Sequence, residues 1–396
     1  MTQIIFHIDV NNAFLSWSAV NMLKEGYAID IRTIEAVIGG DENKRHGIVL
    51  AKSPLAKEKG IITGESLYQA RKKCPQLQVF PPQYNVYQEM SNQLFTLIQK
   101  YTPDIEIFSI DECFIDYGKI KKLYGEPLKF ANKLKDEIKK ELGFTVNIGI
   151  GNNKLTAKMA SDFKKPNQIH TLFDNEIKTK MWPLPVSKLF GIGKKTSTKL
   201  NQLNIHTIKD LATADPNILY KYFKNRTIDM IESAKGINYT SVIIKKEQTK
   251  GISHSITLEH NLTNKNEAYE ILKKIIQQLS YKLRKQNRYT KVIAVILKDQ
   301  QFNTYNHQRK IINATNLTDE IYDTAQNLLN EMWPSKPIRL IGVRFDQLSN
   351  DTNYQLSIFE KEVKRNSNIK LEQTIDQLKE KYGEHIITEP NINTKF

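Results

Sequence analysis

The chain has 396 residues, enough for about two to four domains with proper cores. Lys and Arg number 58 against 43 Asp and Glu, a net charge of +15, which suits a polyanionic partner: nucleic acid or an anionic membrane surface. The longest apolar run, 292–297, falls far short of a spanning helix, and the first residues lead directly into a strand rather than a signal peptide, so no membrane partner is expected. Only two cysteines occur, Cys74 and Cys113, without CxxC spacing. That argues against a disulfide scaffold or structural zinc and for a reducing cytoplasm.

Taken in order, residues 4–10 read as a strand and 14–23 as a helix. Residues 25–75 mix short strands, Gly-containing turns and a helical stretch near 65–73. Tyr87, Met90, Leu94, Leu97 and Ile98 recur at helical spacing, which predicts a long helix over 84–101. A hairpin follows, 105–110 and 113–117, turning at Asp111-Glu112. Pro127 opens a second helix carrying Phe130, Leu134, Ile138 and Leu142 on one face, Gly143 closes it, and 145–150 form a strand. The order β-α-β-β-α-β is that of a ferredoxin-like sheet.

This order gives two acidic sites a common address. Asp9 lies near the end of the first strand, and the hairpin turn with Asp111 and Glu112 falls at the same end of the sheet. A carboxylate on a buried strand is costly unless it has a partner, and a divalent cation is one that three carboxylates could share. Such a group could serve two-metal phosphoryl transfer. The alternative is a strand cap and an ordinary hairpin turn.

Residues 166–236 read as a small all-helical region. Within it, Gly191-Ile192-Gly193-Lys194-Lys195 stands between two short helices. A Gly-x-Gly turn opening a helix exposes N–H groups that can hold a phosphate, beside two lysines; a plain helix–helix turn is the alternative. A hydrophilic linker at 245–250 leads to strands 251–258, 291–298 and 339–346 alternating with helices 265–286 and 318–333, a second α/β unit. Residues 241–310 hold 14 Lys/Arg against 5 Asp/Glu, as a surface gripping a phosphate backbone would require.

Together these segments resemble the Y-family (translesion) DNA polymerases, most closely their bacterial DinB/DNA polymerase IV group, over about residues 1–346. The residues that carry the resemblance are Ile8-Asp9-Val10 with Phe14, and Ser109-Ile110-Asp111-Glu112. To these are added Asn147-Ile148-Gly149-Ile150-Gly151-Asn152-Asn153-Lys154 with Lys158, Lys164-Lys165-Pro166-Asn167, and Ile341-Gly342-Val343-Arg344-Phe345. The resemblance implies an α+β right-hand polymerase. Its ferredoxin-like palm would span 1–12 and 75–165, its small fingers 13–74, its helical thumb with a helix-hairpin-helix 166–240, and its α/β little finger 245–346. A tail, 347–396, would follow.

It also implies roles. Asp9 and Asp111 would bridge two Mg²⁺ ions, Glu112 would be a further ligand of one, and the Val10 carbonyl would serve the other. Phe14 would block a ribose 2′-hydroxyl, Lys57 and Lys165 would meet the triphosphate, and Gly191, Gly193, Lys194 and Lys195 would hold DNA. The expected partners are primer–template DNA, dNTPs and, through Gln355-Leu356-Ser357-Ile358-Phe359, the bacterial sliding clamp; the protein would be a monomer in the nucleoid-associated cytoplasm. The tail's alternative is an edge strand, or packing under an amphipathic helix marked by Leu371, Ile375 and Leu378.

The fingers depart from the family pattern. Aligned by Gly60, a Tyr and an Arg that commonly touch the nucleotide are Pro54 and Lys57 here, and a lysine cannot make a planar bidentate grip. Gly39-Gly40-Asp41-Glu42 matches the start of the diguanylate cyclase signature, but Asn43 follows where that signature has an aromatic. The rival readings are therefore a nucleotide cyclase and a non-catalytic DNA- and clamp-binding scaffold of the same fold. Scaffolds of that kind lose the carboxylates, and all three are present.

Overall fold

The computed structural model describes residues 3–42, 45, 47–242, 249–350 and 362–383. The expected clamp-binding segment 355–359 lies outside them. The chain divides into two compact units, residues 1–42 with 47–246, and residues 247–396 with 43–46. Among the described residues no helix is long and apolar enough to cross a membrane.

Among the described residues the first unit has eight strands: β1 (Ile5–Val10), β2 (Ala36–Gly39), β3 (Val49–Lys52), β4 (Gln78–Phe80), β5 (Ile105–Ile107), β6 (Glu112–Asp116), β7 (Val146–Gly151) and β8 (Ile169–Leu172). Five form one sheet in the order β5-β6-β1-β7-β8. Its first four strands, with the helices Tyr84–Gln99 and Pro127–Leu142, make the expected βαββαβ unit. Pro127 stands at the start of the second helix and Gly143, at φ 79°, ends it in the left-handed region that favours glycine.

Strict alternation gives this sheet two unlike faces. Phe6, Ile8 and Val10 of β1, Cys113 and Ile115 of β6, and Val146, Ile148 and Ile150 of β7 share one core with the two helices. The other face carries Ile5, His7 and Asp9, then Glu112 and Phe114, then Asn147, Gly149 and Gly151. Helix Lys154–Ser161 lies directly on that face. A Cβ on Gly149 would come within 1.9 Å of the Ala157 carbonyl oxygen, and one on Gly151 within 2.7 Å of the Ala157 nitrogen, so glycine is what lets helix and sheet approach.

Two strands differ from the expected reading of elements. Residues 169–172, read as the start of an all-helical region, instead pair in parallel with β7 as a fifth strand. β4, beyond residue 74, pairs in parallel with β2 in a small sheet ordered β3-β2-β4. Both strands are three or four residues long, too short to declare a period. Gly39 ends β2 and residues 40–48 connect it to β3, where Glu42 pairs with Arg71 at 3.0 Å.

The second unit is again βαββαβ: β9 (Gly251–Leu262), helix Lys265–Lys285, β10 (Thr290–Asp299), β11 (Thr304–Thr315), helix Thr318–Met332 and β12 (Ile338–Asp346). Its sheet order is β11-β10-β12-β9 and the two helices bury their apolar stripes against one core. β11 gave no strand signal because Thr304–Lys310 is polar on both faces at an exposed edge. Helix Glu362–Tyr382 follows. Arg284 of the Lys265–Lys285 helix binds Glu372 and Asp376, and Glu372 also accepts the Thr318 N–H at 2.8 Å. Leu371 is 58% exposed, whereas Ile369 and Ile375 of the same helix are half-buried.

Candidate active site

The end of β1 brings four of the expected residues together. Asp9 stands opposite Glu112 in the register of β1 and β6. The next residue, Val10, donates its N–H to the Asp111 carbonyl at 3.1 Å. The turn before Glu112 is held by its own groups: Phe108 and Ser109 donate N–H bonds to the Glu112 carbonyl, and the Ser109 hydroxyl donates to Asp111 Oδ1 at 2.6 Å.

Lysines neutralise the carboxylates. Lys165 Nζ lies 3.0 Å from Asp9 Oδ2 and 2.9 Å from Asp162 Oδ1. Lys158, buried on the helix above the sheet, reaches Glu112 Oε1 at 2.7 Å. Burial, more than any other influence, pushes the Asp9 carboxyl up to about 7; the charge of Lys165 pulls against it, and Glu112 beside it pushes it further up. Burial acts to lower Lys165, yet Asp9 and Asp162 together hold it above its ordinary value. The pair is unequal because Lys165 is 37% exposed and shared between two acids, whereas Asp9 is sealed in. Among the described residues no three His, Cys, Asp or Glu side chains are grouped to hold a metal ion. Asp9 and Glu112 are drawn instead to their lysines.

Two buried asparagines fix this arrangement, and sequence reasoning assigned neither a role. Asn147 on β7 donates to the Ser161 and Lys164 carbonyls at 2.9 and 2.7 Å, and its oxygen accepts from Asn11 and from the Gln168 N–H. Asn11 Oδ1 accepts from Thr145 and from the Asn167 N–H. The segment carrying Lys165 is thus stitched to the ends of β1 and β7. The available signal was alternation: His7, Asp9 and Asn147 are polar residues at same-face positions of apolar strands.

His7 is fully buried on that face. Its Nδ1 lies 2.8 Å from the Ser161 hydroxyl, which itself donates to the Lys158 carbonyl. The ring proton therefore sits on Nδ1, and Nε2 turns an unpartnered lone pair toward Glu112 Oε2, 3.9 Å away. Burial, then the charges of Lys158 and Lys165, keep His7 well below its usual value and hence neutral.

The other expected residues lie on other elements of the first unit. Phe14, in helix Ala13–Lys24, stacks on Tyr87 at 4.5 Å and meets the edge of Tyr84. Tyr87 is anchored by Ser18 at 2.9 Å. Lys57 is exposed on the short helix Pro54–Glu58. Gly191 takes φ 88°, Gly193 caps helix Lys194–Gln202, and Lys194 and Lys195 are exposed in its first turn. That turn carries Phe190, whose ring lies 6.2 Å from Phe108, with Lys158 over both.

The sequence matches known proteins along most of its length. The profile of the impB/mucB/samB family matches residues 8–162, its C-terminal-domain profile matches 249–358, and its HHH-motif profile matches 174–205. A DNA polymerase IV of Clostridium acetobutylicum is 46% identical over 98% of this chain and 97% of its own. The DNA polymerase IV of Alkaliphilus oremlandii is 34% identical over the whole of both chains, and DNA polymerase IV 2 of Bacillus subtilis is 31% identical over 97% and 93%. A solved Y-family DNA polymerase chimera of Dbh and Dpo4 has a TM-score of 0.75 at 23% identity, covering 87% of this chain and 98% of that one. A Dbh ternary complex, 24% identical, gives 0.60 with the same coverage. At these identities the two structures speak for the fold. The chain belongs to the impB/mucB/samB family, the Y-family of DNA-directed DNA polymerases, among which the bacterial DNA polymerase IV proteins are its matched relatives.

Proposed function

We propose that the chain adds dNTPs to a primer 3′ end by two-metal phosphoryl transfer, with low fidelity and without proofreading, in DNA damage tolerance. The observation that carries this reading is Asp9 placed beside Glu112 on paired strands, with the Asp111 carbonyl bonded to Val10 and Lys165 at the same point. The donor set fits the chemistry: hard oxygens suit Mg²⁺, and a buried carboxyl that repels its neighbour gains most from a cation. Asp9, Asp111, Glu112 and the Val10 carbonyl would hold two Mg²⁺ ions. When bound, these would supply Lewis-acid stabilisation of the charge that develops as a primer oxygen displaces pyrophosphate from the α-phosphate in line.

The chain's residues do the positioning. Lys165, released from Asp9, neutralises the triphosphate. The Phe14 ring, backed by Tyr87, excludes a 2′-hydroxyl. In domain terms residues 1–12 and 75–165 act as palm, 13–74 as fingers, 166–240 as thumb and 245–346 as little finger. The basic 241–310 region and the Gly191–Lys195 turn grip the DNA backbone, and 355–359 docks on the sliding clamp. The protein works as a monomer in the nucleoid-associated cytoplasm. The test is primer extension with Mg²⁺ on plain and damaged templates. Asp111→Ala or Glu112→Ala should cost on the order of a thousandfold or more while DNA binding and melting stay near parental. Near-parental extension by either variant would overturn the assignment.

A further inference from the structure

We propose that Lys52 is a second triphosphate-binding lysine of the fingers, acting with Lys57 in place of the Tyr and Arg of the family pattern. The inference deepens the polymerase reading above and rests on it. Lys52 ends β3, where Val49 and Ala51 face inward and Leu50 and Lys52 are half-buried. The corner after it is rigid. Ser53 exchanges bonds with Ala36 through backbone and hydroxyl, and its hydroxyl caps helix Pro54–Glu58 by accepting from Ala56 at 3.0 Å.

This corner is tied to the active site. The Asn12 side chain donates to the Lys52 carbonyl at 2.5 Å. Asn12, at φ 52°, caps the helix that begins at Ala13 and carries Phe14, and it stands three residues beyond Asp9. The end of β3 is therefore bonded to the loop that joins the carboxylate strand to the expected sugar gate.

The charges around Lys52 do not balance. The charges that act on it are those of Lys57, Glu65 and Lys73. Glu65 is already engaged, accepting from Lys73 Nζ at 2.6 Å and from the Ile62 N–H at 2.9 Å. Three ammonium groups thus share one carboxylate. Burial first, and then the charge of Lys57, hold Lys52 below its ordinary value. Half-burying the Lys52 ammonium under the influence of like charges costs stability, and a compact polyanion would offset that cost. Of the polyanions a polymerase meets, the triphosphate tail is the one delivered beside Asp9 and Phe14, the loop to which Lys52 is bonded. Two lysines make point contacts with phosphate oxygens, so they can replace the missing arginine's charge without its fork.

The experiment uses the full chain and the variants Lys52→Met and Lys52→Arg. In single-nucleotide insertion, Met should raise the KM for dNTP about tenfold or more, the loss of one charge-assisted contact, with kcat changed less and Arg restoring most of the loss. Tripolyphosphate is the second probe. Its binding, measured by calorimetry without primer, should weaken in parallel for Met and not for Arg, while the Kd for primer–template DNA stays parental. Met should melt no lower than the parent, because a repulsion has been removed. A raised DNA Kd with unchanged KM would assign Lys52 to the template strand and overturn the proposal, as would a Met variant indistinguishable from the parent in KM and tripolyphosphate binding. Absence of any extension by the parent would instead refute the polymerase reading, and the calorimetric arm would still decide whether Lys52 binds the triphosphate group.

Discussion

Replacing Asp9 by Asn should stabilise the metal-free protein at neutral and alkaline pH while abolishing synthesis. Asp9 is 7% exposed, and its carboxyl is pushed from 3.8 to about 7 by burial and by Glu112, against the pull of Lys165. Between those two values the native state keeps a proton that the unfolded chain has released. This group's contribution is therefore largest below about pH 4 and declines as pH rises toward 7. Roughly three units at 1.36 kcal/mol each make about 4 kcal/mol an upper bound on the cost. Asn also removes the ion pair with Lys165, which sits 3.0 Å away and keeps Asp162 as a partner. A net gain of about 2 kcal/mol at pH 8 is expected on that account. The assay is urea unfolding in EDTA at pH 5 and pH 8. The parent should lose more stability across that interval than Asp9→Asn, and Mg²⁺ at pH 8 should restore the parent alone. If Asp9→Asn were equal to or weaker than the parent at pH 8 in EDTA, the buried carboxylate would not be the strained group that a cation relieves.

Asn147→Leu should cost about 3–5 kcal/mol in urea unfolding, since it leaves several buried polar groups unpaired, and should raise the KM for dNTP by loosening the Lys165 segment; an unaltered unfolding midpoint would remove the network's structural role. Phe14→Ala should admit ribonucleotides with modest loss of dNTP use, measured by single-nucleotide insertion, and unchanged rejection of ribonucleotides would remove the gate. DNA affinity should fall linearly with the logarithm of salt concentration and alike for unrelated duplexes; a strong preference for one sequence would contradict a backbone grip. Leu356→Ala with Phe359→Ala should leave distributive synthesis intact and abolish stimulation by a loaded bacterial clamp, whereas full stimulation would make the tail structural.

The helices most legible in the sequence were those whose burial is one-sided. Helices Tyr84–Gln99 and Pro127–Leu142 each bury one stripe, and the second also carries its proline and glycine punctuation, so period and ends could be read together. The placing of Asp9 opposite Glu112, with the Asp111 carbonyl bonded to Val10, followed from topology. In a βαββαβ sheet the β5–β6 turn falls where β1 ends, and the register delivers Asp9 opposite Glu112. β8 and β11 escaped for opposite reasons. Ile169–Leu172 is too short to show a period, and Thr304–Thr315 has no dry face over most of its length.

What stayed hidden is the layer that holds the charged groups in place. Asp9 and Glu112 announce themselves because a carboxylate in an apolar strand demands an explanation, but an asparagine in the same setting can be satisfied by backbone alone, and Asn147 is satisfied that way on three of its four bonds. Its partners, Ser161, Lys164 and Gln168, lie 14 to 21 residues away, across a helix and a loop whose path no local pattern specifies. The same holds for Lys158 and Glu112, which are 46 residues apart. The lysine reaches the acid only because Gly149 and Gly151 let its helix settle onto the sheet. Sequence therefore disclosed the groups that carry charge. The distances that decide how those charges are shared depend on glycine-permitted contacts between elements, which become readable only once the chain is folded.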